Sequence, residues 1–88
     1  MTLTTAKWIV YIIQTASGKL YTGITTDVER RFADHTKGKQ GAKFFHISKP
    51  ERIVFQEVYP NRSLATKREI EIKKMSRAQK QSLIQNFK

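Results

Sequence analysis

The chain contains no cysteine and only two prolines. Without cysteine, neither a disulfide nor a thiolate-bound metal can stabilise the fold. No apolar run approaches the roughly 18 residues that cross a membrane, and the N-terminal residues lack the pattern of a cleaved signal peptide. We therefore expect a cytoplasmic protein, with one domain over residues 1–88 and enough apolar residues for a small two-layer core.

Acidic residues are also scarce. Seven Asp and Glu stand against 17 Lys and Arg, which gives a formal net charge of +10 on 88 residues. The cations are spread along the chain, which favours a folded basic face over a disordered arm. Such a face attracts a polyanion, so we expect a nucleic-acid partner. Charge alone leaves open a basic protein with a solvated surface.

Periodicity and turn residues predict the element order β-β-α-β-α-α. The predicted strands are rich in β-branched and aromatic residues and cover 7–14, 19–24 and 52–59. The predicted helices each follow a capping residue: from Thr26 to about His35, from Ser63 over 64–75, and from Ser76 onward. Most of the segment 37–50 is expected to be loop.

The first two strands are expected to form a hairpin. A loop over residues 16–18, with Gly18 in the left-handed conformation, places Tyr11 opposite Gly23. Because side chains alternate along a strand, Tyr21 shares the face of Tyr11 and is its diagonal neighbour. Gly23 then leaves space beside Tyr11, as glycine does where a ligand approaches a strand; a bulge or a tight packing position is the alternative.

The helix after the hairpin has Val28 and Phe32 as its apolar stripe. Arg31 and His35 lie directly beside this stripe, at i and i+4, and are expected to point toward the sheet. Arg30 lies about 100° further round, toward solvent. The alternatives are an ordinary solvated arginine and a histidine at the border of the core.

The ordered set Tyr, Tyr-x-Gly, Arg-x-x-x-His and Glu resembles the GIY-YIG endonuclease superfamily, in particular its small stand-alone bacterial members. The resemblance covers the whole chain and includes the runs YTGITTD, GAK and SLAxxxE. It implies an α/β (α+β) fold, with a three-stranded antiparallel sheet flanked by helices. The signature positions fall on Val10-Tyr11-Ile12, Tyr21-Thr22-Gly23, Arg31, His35 and Glu69.

This sequence departs from the family pattern in three places. Val10 replaces the glycine of the first tripeptide, Thr22 replaces the isoleucine of the second, and Ile24 stands where the excision-repair nuclease domain has a lysine. The tyrosines, which carry the chemistry, are retained. Glu69 and Glu71 both border the apolar stripe of their predicted helix, so the choice of Glu69 rests on the resemblance.

The resemblance implies a metal-dependent endonuclease that hydrolyses phosphodiester bonds of nucleic acid, with DNA favoured over RNA, in DNA repair or processing. Glu69 would hold a single Mg²⁺ or Mn²⁺, and Arg31 would bind the non-bridging oxygens. Tyr11 would act as the base with His35 assisting, and Tyr21 would orient water or phosphate.

Flanking nucleic acid would contact Gly23 and the basic loop residues Lys37, Lys39 and Lys43. Phe44 and Phe45 are candidates either for base stacking or for the core. A basic nucleic-acid-binding module without catalysis and a small RNA- or ribosome-associated protein are the alternative functions. A monomer is the default oligomeric state.

Overall fold

The computed structural model describes residues 7–37 and 49–87, and for residues 35–37 it describes the backbone. The elements of these residues are β1 (Trp8–Thr15), β2 (Leu20–Thr25), α1 (Val28–Lys37), β3 (Pro50–Tyr59), α2 (Arg62–Lys73) and α3 (Arg77–Phe87). The strands form an open antiparallel sheet in the order β2-β1-β3, which confirms the predicted fold class. Across the described ranges, each helix is too short or too polar to span a bilayer.

The β1–β2 hairpin has the predicted loop and register. Gly18 adopts a φ of +89°, and its N–H donates to the carbonyl of Thr15 at 2.9 Å. The Thr15 N–H in turn donates to the carbonyl of Lys19 at 2.8 Å. A Cβ is strained at this φ, so glycine is the residue that closes the loop at low cost. Tyr11 is consequently paired with Gly23, as predicted.

Both faces of the sheet are covered. One face buries side chains of β1 and β3 against α2 and α3, around Val10, Ile12, Phe55, Ala65 and Ile72. The opposite face buries β1 against α1, around Tyr11, Ile13, Val28 and Phe32. Because successive side chains of β1 enter different cores, the central strand is apolar without interruption from Trp8 to Ile13.

Two helices are capped by residues other than those predicted. Asp27 caps α1, where its Oδ1 accepts a backbone N–H three residues on at 3.1 Å, in place of Thr26. Asn61 caps α2 in the same way at 2.9 Å, in place of Ser63. Asp and Asn accept this hydrogen bond at least as well as Ser and Thr do, so the competing acceptor nearby prevails.

The predicted loop is shorter than expected at both ends. Helix α1 continues to Lys37, two residues beyond the predicted end, and β3 begins at Pro50. Proline is tolerated there because the first residue of an edge strand can do without its N–H. Residues 38–48, the middle of the predicted loop, lie outside the described residues.

Helix α3 begins and packs as predicted. Ser76 and Gln79 form the capping box, with hydrogen bonds of 2.9 and 3.2 Å. Leu83 and Ile84 pack on the core. The Phe87 ring contacts Phe55, with 5.5 Å between the centroids. The apolar face read from the sequence is therefore the face that packs against the core, with its side chains partly buried.

The hydroxyl of Thr22 is buried and has no hydrogen-bond partner among the described residues. Valine keeps the shape of this side chain and removes the desolvated hydroxyl. We expect Thr22→Val to raise the free energy of unfolding by about 1 kcal/mol, measured by urea denaturation. Thr15→Val is the matched control, because the equally buried Thr15 hydroxyl accepts the Lys19 N–H at 3.0 Å. The control should lose about 1 kcal/mol, and a loss of that size from Thr22→Val would contradict the unpartnered hydroxyl.

Candidate active site

Tyr11 is the most deeply buried polar side chain of the site, with 1% of its surface exposed. Its ring crosses the neighbouring strand directly over Gly23. A Cβ at position 23 would lie 2.6 Å from the Tyr11 hydroxyl oxygen and 2.8 Å from Cζ. The space expected beside Tyr11 is therefore filled by its own phenol, and this contact is what requires glycine. Contact between Gly23 and nucleic acid stays a prediction.

Tyr21 lies next to Tyr11 on the same face. The ring centroids are 6.4 Å apart and the rings are tilted by 41°. Tyr21 is half-buried, whereas Tyr11 is inaccessible. The shared face predicted from the hairpin register is confirmed, and Tyr21 is the more accessible of the two phenols.

Arg31 extends from α1 to the Tyr11 hydroxyl and forms a hydrogen bond with it. The Arg31 Nε is buried and has no hydrogen-bond partner among the described residues. The adjacent Arg30 is exposed. The helical wheel thus correctly separates the two arginines, since the contacts of Val28 and Phe32 with the sheet turn Arg31 toward it.

Burial raises the pKa of Tyr11 to about 12, although the hydrogen bond from Arg31 acts to lower it. The neighbouring Tyr21 and the carboxylate of Glu69 raise this pKa further. Tyr11 is therefore a neutral phenol near pH 7. Through Glu69, α2 therefore contributes a negative charge that acts on Tyr11.

Glu69 lies on the inward stripe of α2. Ala65 and Ile72 are fully buried, and Glu69 follows Ala65 by four residues. Its side chain is 18% exposed, and its Oε2 lies 3.2 Å from the Nζ of Lys73. Sequence reasoning missed Lys73, although its i, i+4 spacing from Glu69 was a usable signal.

Glu71 points elsewhere. Its side chain is 63% exposed, and its Oε1 accepts a hydrogen bond from Arg68 at 3.0 Å. The Nε of Arg68 also donates to Glu57 of β3 at 2.9 Å. Glu71 therefore belongs to an ion-pair network on the β3 side of α2. The structure places Glu69 on the inward side of α2 and Glu71 in solvent, whereas the helical wheel predicted from the sequence placed both at the border of the apolar stripe.

A family model of the GIY-YIG catalytic domain matches residues 7–82. The chain belongs to the GIY-YIG family. Domains of this family are typically endonucleases and generally use a divalent metal. The matched range includes Tyr11, Tyr21, Arg31 and Glu69, which lie on four separate elements, β1, β2, α1 and α2.

Several small bacterial proteins are similar to this GIY-YIG chain. A UPF0213 protein of Cupriavidus pinatubonensis is 49% identical over 84% of this chain and 81% of its own length. The UPF0213 protein YhbQ of Escherichia coli is 46% identical over 88% of this chain and 76% of its own length. The solution NMR structure of the UPF0213 protein BH0048 from Bacillus halodurans, 38% identical, superimposes with a TM-score of 0.58 over 90% of this chain and 83% of that one. These names state no activity.

The remaining predicted site residues lie at or beyond the edge of the described part. His35 and Lys37 belong to α1, and their backbone alone is described. Lys37 was expected in the loop and is instead the last residue of this helix. Outside the described residues lie Lys39, Lys43, Phe44 and Phe45. The roles of all these residues stay predictions.

A polar pocket opens beside Arg31 at the N-terminal half of α1. It is lined by Thr25, Thr26, Asp27, Arg30, Arg31 and Asp34. The pocket gives Arg31 an approach from solvent although its Nε is buried. Sequence reasoning missed it, because the lining comes from the turn that precedes the helix as well as from the helix, and no motif marks that combination.

The described residues contain no group of three or more His, Cys, Asp or Glu side chains that could hold a metal. The site instead offers the carboxylate of Glu69, which is mostly buried and already paired with a cation. This donor set fits Mg²⁺, which retains several waters and needs one or two protein carboxylates together with substrate phosphate. It does not provide the imidazoles or thiolates that softer ions prefer.

Replacement of Gly23 by alanine should displace the Tyr11 ring, because the added methyl group would lie 2.6 Å from its hydroxyl oxygen. We expect Gly23→Ala to cost about 1–3 kcal/mol in the free energy of unfolding and to shift the Tyr11 ring resonances in NMR spectra. Gly18→Ala is the control, since it strains the positive φ of the loop but leaves Tyr11 in place. Unchanged stability and Tyr11 resonances in Gly23→Ala would contradict the close contact.

Proposed function

We propose that this chain is a metal-dependent endonuclease that hydrolyses phosphodiester bonds of nucleic acid. Membership of the GIY-YIG family supports this reaction class, and the family resemblance favours DNA over RNA and a role in DNA repair or processing. The observation that carries the proposal is the contact of Arg31 with Tyr11 beside the charge of Glu69. Arg31 of α1 contacts Tyr11 of β1, and the negative charge of Glu69 on α2 acts on the same phenol.

Arg31 is suited to the negative charge that develops on a phosphate during hydrolysis. Its guanidinium is held by the Tyr11 hydroxyl, while its Nε lacks a partner among the described residues. A buried donor without a partner is costly in the free protein, and a non-bridging phosphate oxygen would satisfy it. Donors fixed in this way stabilise a transition state without having to reorganise.

Glu69 would hold the Mg²⁺ or Mn²⁺ ion. When bound, the metal supplies positive charge that stabilises the phosphate and the leaving oxygen. The part that the chain itself contributes is a carboxylate of fixed position, because Ala65 and Ile72 anchor α2 in the core on both sides of it. Glu69 is also mostly shielded from bulk water, which strengthens its interaction with a cation.

The burial of Tyr11 exchanges the roles that the resemblance implies for the two tyrosines. A phenol from which solvent is excluded cannot contact an attacking water and is a poor general base. We therefore assign Tyr11 to holding Arg31 in position. The more accessible Tyr21 is assigned to the attacking water, with His35, one turn beyond Arg31 on α1, assisting.

The direct test of the proposed function is cleavage of labelled DNA and RNA, single- and double-stranded, with Mg²⁺ or Mn²⁺ and with EDTA. We expect cleavage of at least one substrate that depends on the metal and is abolished by EDTA. Binding that weakens with salt but produces no cleavage on any substrate would contradict the nuclease and support the basic binding module.

Alanine substitutions of the adjacent Arg30 and Arg31 form a matched pair, because each substitution removes one positive charge from α1. Arg31→Ala should slow the cleavage step by at least about a hundredfold in single turnover, since it removes a charge-stabilising donor. Arg30→Ala should lose a few-fold, mainly through weaker attraction of the substrate. Equal losses from the two variants would contradict the assignment of Arg31 to the phosphate.

The two glutamates provide a second matched pair. Glu69→Ala should abolish metal-dependent cleavage and leave nucleic-acid binding unchanged or tighter, because it removes a metal ligand and a negative charge. Glu71→Ala removes the same charge but affects an exposed ion pair with Arg68, so its cleavage rate should stay near wild type. If Glu71→Ala is the inactive variant, the metal site is wrongly assigned on α2.

A further inference from the structure

We propose that Lys73 competes with the divalent cation for the carboxylate of Glu69 and thereby lowers the metal affinity of the site. This inference rests on the proposed function, because it takes Glu69 as the metal ligand. In the free protein the Lys73 ammonium lies 3.2 Å from Oε2 of Glu69, one helical turn along α2. A positive charge therefore already lies at one of the two carboxylate oxygens that a metal could use.

The two members of this ion pair differ in mobility. The Glu69 side chain is 18% exposed and belongs to the inward stripe of α2, whereas the Lys73 side chain is 55% exposed. A half-exposed lysine can swing its ammonium into solvent by rotating its side chain, but the carboxylate is held by the helix. Metal binding can accordingly displace the ammonium without moving the ligand.

Displacement follows from the charges. An ammonium that remained within hydrogen-bond distance of Oε2 would lie within a few Å of a metal bound there, and like charges at that distance repel. Arg68, a mostly buried cation of α2, is bound to Glu57 and Glu71 and does not compete. Lys73 is therefore the cation that must leave when Glu69 binds metal.

The pair also benefits the free protein. A carboxylate that is mostly buried and unpaired is unfavourable, and Lys73 neutralises it in the absence of metal. In the absence of metal, the Glu69 carboxylate is thus stabilised by the Lys73 ammonium, which a metal ion can replace. The consequence is a weaker affinity for metal, because the free energy of a partly exposed ion pair is lost when the metal binds.

The test measures Mn²⁺ binding by the EPR signal of the free ion, at low ionic strength and without nucleic acid. Lys73→Met should bind Mn²⁺ about three- to fivefold more tightly than wild type, because the competing ammonium is gone. Lys74→Met is the matched control: it removes the same charge from the adjacent, exposed C-cap residue of α2 and should change the affinity by less than about 1.5-fold. Lys73→Arg retains a competing cation and should stay close to wild type.

Equal affinities of Lys73→Met and Lys74→Met would overturn the proposal, since the effect would then be one of net charge alone. Glu69→Gln separates this failure from failure of the metal site. If Glu69→Gln weakens Mn²⁺ binding while the two lysine variants are equal, the metal site stands and the competition by Lys73 is wrong. If Glu69→Gln binds Mn²⁺ as wild type does, both proposals fall.

Discussion

The buried phenol of Tyr11 is the constraint on which the rest of the site depends. Tyr11 lies on the central strand, so its ring enters the core between the sheet and α1 and carries a hydroxyl with it. A buried hydroxyl needs a hydrogen-bond partner, and Arg31 supplies one. The ring also needs room, which Gly23 provides on the neighbouring strand. The signature residues Tyr, Gly and Arg are thus parts of one packing arrangement.

Residues of elements on opposite faces of the sheet also influence one another. Helix α2 packs on the face opposite to α1, yet the charge of Glu69 influences Tyr11. In the described sheet β2 is an edge strand, and the Tyr11 phenol lies over its Gly23. A side chain at position 23 would hold the phenol away from this edge.

Local rules account for the parts of this arrangement that the sequence predicts. The hairpin register follows from a three-residue loop that ends in Gly18, and the direction of Arg31 follows from the spacing of Val28 and Phe32. The hairpin register and the direction of Arg31 both depend on residues that are close in sequence. The predicted faces of Tyr11 and Tyr21 are correct for the same reason.

Other features depend on tertiary contacts and could not be read from the sequence. Glu69 is mostly buried and Glu71 is exposed. The inward stripe of α2 contains charged side chains as well as the buried Ala65 and Ile72, so the spacing of apolar residues does not show which glutamate belongs to it. The caps Asp27 and Asn61 compete with Thr26 and Ser63, which lie one and two residues away and are capping residues of similar strength. The burial of Tyr11, which raises its pKa, requires the ring to cross Gly23 instead of leaving space there.

The central claim, that Tyr11 is a neutral phenol buried against Gly23 and Arg31, can be measured directly. The protein would be labelled with 3-fluorotyrosine and titrated by ¹⁹F NMR, with the Tyr11 signal assigned from Tyr11→Phe. Because the folded state raises the pKa of Tyr11 from 10.0 to about 12, folding is favoured while the phenol stays protonated and loses this contribution as the pH rises through the folded pKa. We predict a Tyr11 midpoint about two pH units above that of the free fluorinated amino acid. A midpoint equal to that of the free amino acid would mean that the phenol is solvated, and would contradict the account.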